Sequence, residues 1–126
     1  RVRIVKAPAT LYTWMSKCSF AFSAGGQTLY ELAALGRPTI GFGLWENQKG
    51  NVAELARFHA IHALMYKKNK KFLNALEETI CLLLTDKKER ERLSMTASAL
   101  VDGKGAERVA RALLNNYKNF VSNTLH

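Results

Sequence analysis

The chain has 126 residues, 48% of them apolar and 23% charged, which suits one globular domain with a real core. None of its apolar runs reaches the ~20 residues of a membrane span. A net charge of +9 admits nucleic acid, an anionic surface or a phosphorylated ligand as partner.

Val2-Arg3-Ile4-Val5 alternates and is β-branched, so the pattern predicts a first strand. Because the chain begins at Arg1, already inside that pattern, it is expected to be a piece of a longer protein. Lys6 to Pro8 reads as a turn, and Ala9 to Lys17 as a helix with Leu11, Trp14 and Met15 facing the core. Residues 19–23 read as the second strand, Pro38 to Phe42 as the third and Ile61 to Tyr66 as the fourth. Between them one helix runs from the glycine turn to Gly36, and another from Glu46 to about Phe58. Three more follow. Phe72 to Leu84 carries the stripe Phe72, Leu76, Ile80 and Leu83. The next starts at Asp86-Lys87-Lys88-Glu89, which resembles a capping box, with Leu93, Ala97 and Leu100 inward. The last starts at about Ala106 with Val109, Leu113, Tyr117, Phe120 and Val121 on one face and Arg108, Arg111, Asn115 and Lys118 opposite. The order β-α-β-α-β-α-β-α-α-α predicts an α/β fold: a Rossmann-like parallel sheet of about four strands with helices on both faces.

The chemistry concentrates in Ser23-Ala24-Gly25-Gly26-Gln27-Thr28-Leu29-Tyr30-Glu31. A short strand enters the glycine pair, and a helix leaves it with Leu29, Leu32 and Ala33 on one face until Gly36 and Pro38 stop it. Glycine lets a ligand approach the backbone, and the first N–H groups of a helix have no internal partner, so an anion fits there. Glu31 lies one turn on, sharing a face with Gln27 and Thr28. A carboxylate repels phosphate but accepts bonds from neighbouring hydroxyls, as a ribose offers. A nucleotide satisfies both features, while an ordinary α/β turn with a solvated glutamate accounts for them as well. Asn47 and Gln48 open the next helix, past the carboxyl end of a strand, where α/β folds bind ligands. Their amides suit sugar hydroxyls or simple helix capping.

The run "SAGGQTLYELAALGRPTIGF…ENQ", with "LVDGKGAERVARALL" near the end, resembles the carboxyl-terminal domain of the UDP-sugar hydrolases of pseudaminic acid biosynthesis. It is also similar to the related spore-coat polysaccharide biosynthesis proteins, and through both to the glycosyltransferase-B superfamily. The resemblance covers most of the chain. It implies that residues 1–126 form a single Rossmann-like nucleotide-sugar-binding domain, the carboxyl half of a two-domain enzyme. It implies that Gly25, Gly26, Gln27 and Thr28 lie at the diphosphate, that Glu31 holds the ribose, and that Asn47 and Gln48 face the sugar or its phosphate. The backbone near Ala7 would read the uracil edge. In that group water attacks at or near the sugar C1 and UDP leaves. The catalytic residues belong to the amino-terminal half, so none is assigned in this chain, and alone it should not turn over.

The same residues serve a UDP-sugar glycosyltransferase or a non-catalytic binding subunit completed by a partner chain. No metal and no cofactor are required. His59 and His62 straddle a helix end and a strand without a third ligand nearby. Nucleic acid is disfavoured, because Lys67, Lys68, Lys70 and Lys71 share one loop while Arg90, Arg92, Arg108 and Arg111 spread over two helices. Cys18 and Cys81 have no CxxC spacing and read as buried free thiols in a reducing compartment, which places the protein in the cytoplasm.

Overall fold

The computed structural model describes residues 2–6 and 9–124. Helix α1 (Tyr12–Met15) leads to strand β1 (Ala21–Ala24) and helix α2 (Gln27–Ala34). Strand β2 (Thr39–Phe42), helix α3 (Glu46–Arg57) and strand β3 (His62–Leu64) follow, then helices α4 (Lys70–Thr85), α5 (Lys87–Leu100) and α6 (Gly105–Thr124). The three strands form a parallel sheet in the order β1-β2-β3, with Phe22, Ile40 and His62 in register. The fold is α/β, as the alternation of strands and helices predicts.

Helix α2 shows how the sequence sets an element. Leu29, Leu32 and Ala33 are all buried, as their spacing predicts. Its end is a Schellman motif: the N–H of Gly36 donates to the Ala33 carbonyl and that of Arg37 to the Leu32 carbonyl, both at 2.9 Å. Gly36 sits at φ +60, a conformation that glycine adopts without strain. The core has two centres. Leu29, Ala33, Val52, Leu55, Ile61 and Ala97 join α2, α3 and α5, while Ile40, Leu83 and Leu93 join β2 to α4 and α5. Each buried leucine contributes about 1.5–3 kcal/mol relative to exposure.

Several expectations need correction. The sheet has three strands among the described residues, not four. Val2 to Val5 forms no strand, because no strand among the described residues pairs with it; Val2 is 90% and Ile4 80% exposed. Helix α1 is one turn long, and Trp14 is exposed while Met15 is buried. Leu100 is exposed at the end of α5. Cys81 is exposed and Cys18 only half-buried, since Cys81 falls outside the inward stripe of α4. In α6, Val109, Leu113 and Tyr117 are each more than half exposed.

The capping box at α5 is half made. Asp86 Oδ1 accepts the N–H of Glu89 at 3.0 Å, but the Glu89 carboxylate turns away from the cap. It takes two bonds of 2.7 Å from Arg92, and its Oε1 lies 2.8 Å from His62 Nε2. The bond from Arg92 holds the Glu89 carboxyl below its ordinary range. Arg92 also donates to the His59 carbonyl at 3.1 Å, fastening the α3–β3 turn to α5.

Candidate functional site

The carboxyl ends of β1 and β2 open into the two loops singled out in the sequence. Gly25 is buried where they meet. Its N–H donates to the Phe42 carbonyl at 2.9 Å. A Cβ on Gly25 would stand 2.6 Å from the Gln48 carbonyl oxygen and 2.7 Å from Val52 Cγ2, so only glycine fits against α3. Asn51 closes this contact: its amide donates to the Gly25 carbonyl at 2.8 Å, and its Oδ1 accepts from the Tyr30 hydroxyl at 3.2 Å. The first turns of α2 and α3 are thereby held side by side at one edge of the sheet.

Gly26 has the opposite surroundings. Nothing lies within 4 Å of where its Cβ would be. It caps α2 in extended conformation without a side-chain partner. The N–H groups of Gln27 and Thr28 come first in α2, where the helix supplies no internal acceptor. Gln27 is exposed and Thr28 half-buried. This corner is open, bears the positive end of the helix dipole, and suits an anionic oxygen.

Glu31 is exposed one turn along and lines a cleft of about 580 Å³ together with Thr10, Leu11 and Tyr12. Gly25, Gly26, Gln27 and Thr28 form the turn and the first residues of α2, while Glu31, one turn on, lines a cleft to which none of those four contributes. Asn47 is exposed on the first turn of α3. Gln48 is half-buried, and its Oε1 accepts the N–H of Leu44 at 3.1 Å. That leaves the Gln48 amide group able to donate but commits its oxygen to the loop. Ala7, expected at the uracil edge, lies outside the described residues.

His59 and His62 sit at the amino-terminal end of β3, the opposite edge of the sheet from Gly25. Among the described residues no three His, Cys, Asp or Glu side chains are grouped to hold a metal ion. The Lys67 to Lys71 run lies beyond β3 at the start of α4, next to a ring cluster in which Tyr66 and Phe72 meet at 5.1 Å between centroids. No helix among the described residues is long and apolar enough to cross a membrane. No protein family, curated protein or solved structure matches the chain.

The sequence alone gives Asn51 and Tyr30 no role of their own. Asn51 stands one turn after Asn47 and resembles another solvated amide; its partners are 26 and 21 residues away in the chain. Asn51→Ala is expected to lower stability by about 1–2 kcal/mol, because it strips a partner from the half-buried Gly25 carbonyl. Tyr30→Phe removes only the outer bond and should lose less. Thermal denaturation of both variants tests the order; equal losses would show that the Gly25 link carries no special weight.

Proposed function

We propose that this chain is the nucleotide-sugar-binding half of an enzyme that hydrolyses a UDP-linked amino sugar and releases UDP. The setting is surface polysaccharide or nonulosonic acid biosynthesis in the cytoplasm. On this reading the chain is the carboxyl half of a two-domain fold like that of the glycosyltransferase-B superfamily. A fourth strand and full cover on both sheet faces are then completed with the other half. One observation carries the proposal: Gly25 is packed against α3 and tied by Asn51, while Gly26 and the start of α2 stay open one turn from Glu31. A diphosphate takes the N–H groups of Gln27 and Thr28, its ribose hydroxyls donate to Glu31, and the sugar reaches Asn47 and the Gln48 amide.

As UDP departs, charge builds on the diphosphate oxygen. Fixed N–H dipoles at the end of α2 stabilise that charge without rearrangement. Water is activated by the other half, since both described histidines lie at the far edge of the sheet. That same placement favours, as second reading, a binding subunit that completes an active site on a partner chain. A glycosyltransferase shares this half and differs in the acceptor that replaces water.

A two-dimensional NMR titration with UDP, with ADP as control, tests the proposal. Shifts are expected at Gly25, Gly26, Thr28, Glu31 and residues 46–48, larger with UDP. Equal shifts with both nucleotides would reduce the site to a phosphate site, and no shifts at millimolar UDP would remove the nucleotide reading for this chain.

A further inference from the structure

The turn from α2 into β2 and the first two turns of α5 border an open cleft of about 400 Å³. Ser19, just before β1, and Arg37, just before β2, line it together with Lys87, Arg90, Glu91 and Ser94 of α5. Both strands begin here, so the cleft lies at the amino-terminal edge of the parallel sheet, the opposite edge from Gly25. Gly36 lets the turn approach the helix: a Cβ on it would stand 3.1 Å from Ser94 Oγ, closer than an ordinary contact.

Arg37 and Arg90 are both half-buried, and backbone carbonyls hold both in place. Arg37 donates through Nε to the Leu35 carbonyl and through Nη1 to the Cys18 carbonyl, both at 3.2 Å. Arg90 donates through Nη1 to the carbonyls of Leu83 and Leu84, in the last turn of α4, at 2.5 and 3.2 Å. A carbonyl fixes a guanidinium without neutralising it. Neither arginine pairs with a carboxylate among the described residues, and the acidic residue of the cleft, Glu91, lies 3.3 Å from Lys87 Nζ.

A guanidinium carries five N–H donors, and these bonds leave several unused on each arginine. On Arg90 the unused groups are Nε and Nη2, the edge that meets two oxygens of one anion side by side. The hydroxyls of Ser19 and Ser94 also have no partner among the described residues. Two fixed positive charges and two free hydroxyls suit an anion with more than one charge and more than two acceptor oxygens. Phosphate has both; a carboxylate has neither. The cleft is larger than a phosphate alone, which leaves room for the rest of an ester.

We infer that this cleft is a phosphate-binding site, separate from the glycine turn and independent of the nucleotide reading.

A two-dimensional NMR titration of the whole chain with inorganic phosphate, against chloride at matched ionic strength, tests it. Saturable shifts are expected at Arg37, Arg90 and Ser94, with a dissociation constant on the order of 1 mM. Arg90→Lys keeps the charge but loses the paired donors, and should weaken binding about tenfold. Circular dichroism checks that this variant stays folded. Ser94→Ala leaves both arginines in place and should weaken binding about threefold. Ribose 5-phosphate is the second ligand: tighter binding than phosphate assigns the cleft to an ester, and equal or weaker binding assigns it to the free ion. Shifts confined to residues 25–28 would overturn the inference and leave the glycine turn as the anion site. It would equally fall with no saturable shift at the cleft, with equal shifts in chloride, or with phosphate affinity unchanged in Ser94→Ala and in a folded Arg90→Lys.

Discussion

Gly25→Ala is expected to lower stability by about 3 kcal/mol and with it the melting temperature by about 10 °C. The added methyl group would meet the Gln48 carbonyl oxygen at 2.6 Å and Val52 Cγ2 at 2.7 Å. The first neighbour is main chain inside α3 and has no rotamer to escape into. Relief has to come from α3 moving away from the loop, which would also stretch the Asn51 bond to the Gly25 carbonyl. Gly26→Ala is the control. Its Cβ has open space around it and its φ of −87 is one any residue adopts. The melting temperature should therefore move by no more than about 2 °C. UDP affinity should still fall by about tenfold or more, because the methyl group stands where a diphosphate would approach the backbone. One glycine serves packing and its neighbour serves access. Two variants of similar stability would refute the packing role of Gly25, and unchanged UDP binding by Gly26→Ala would move the anion elsewhere.

The division of labour between these glycines also marks where sequence reading stops. That a glycine pair would turn the chain from strand into helix was legible, and so was α2 with both its ends, because all the residues involved are neighbours in the chain. Which glycine is buried was not legible, since Gln48 and Val52 come from a helix more than twenty residues downstream. The bond from Asn51 to the Gly25 carbonyl was not legible for the same reason. Glu89 illustrates a local rule giving way to side-chain pairing: its N–H donates to Asp86 as in a capping box, but Arg92 takes its carboxylate.

Amphipathic pattern and burial come apart at both ends of the chain. Val2 to Val5 alternates like a strand, yet a strand exists only when another pairs with it. Helix α6 is helical as its periodicity predicts, yet Val109, Leu113 and Tyr117 on its apolar side are exposed. Periodicity tells which side of an element is apolar; it does not name the surface that covers it.

Glu31→Ala is expected to raise the UDP dissociation constant about 10- to 100-fold and to leave pyrophosphate binding within about twofold. The difference follows from chemistry. Bonds from two ribose hydroxyls to a carboxylate are charge-assisted and are worth about 1.5–3 kcal/mol in total once desolvation is set against them. Pyrophosphate has no hydroxyl to offer, and removing a nearby negative charge relieves a weak repulsion. Glu31 is exposed at the mouth of its cleft, so the substitution should change stability by less than about 0.5 kcal/mol, and a loss of affinity would not reflect unfolding. Glu31→Gln keeps one acceptor oxygen without the charge and should fall between. Calorimetric titration of the three chains with UDP and with pyrophosphate reads the result directly. Equal losses for both ligands would mean that Glu31 shapes the glycine loop and does not hold the ribose, and the site would then recognise phosphate alone.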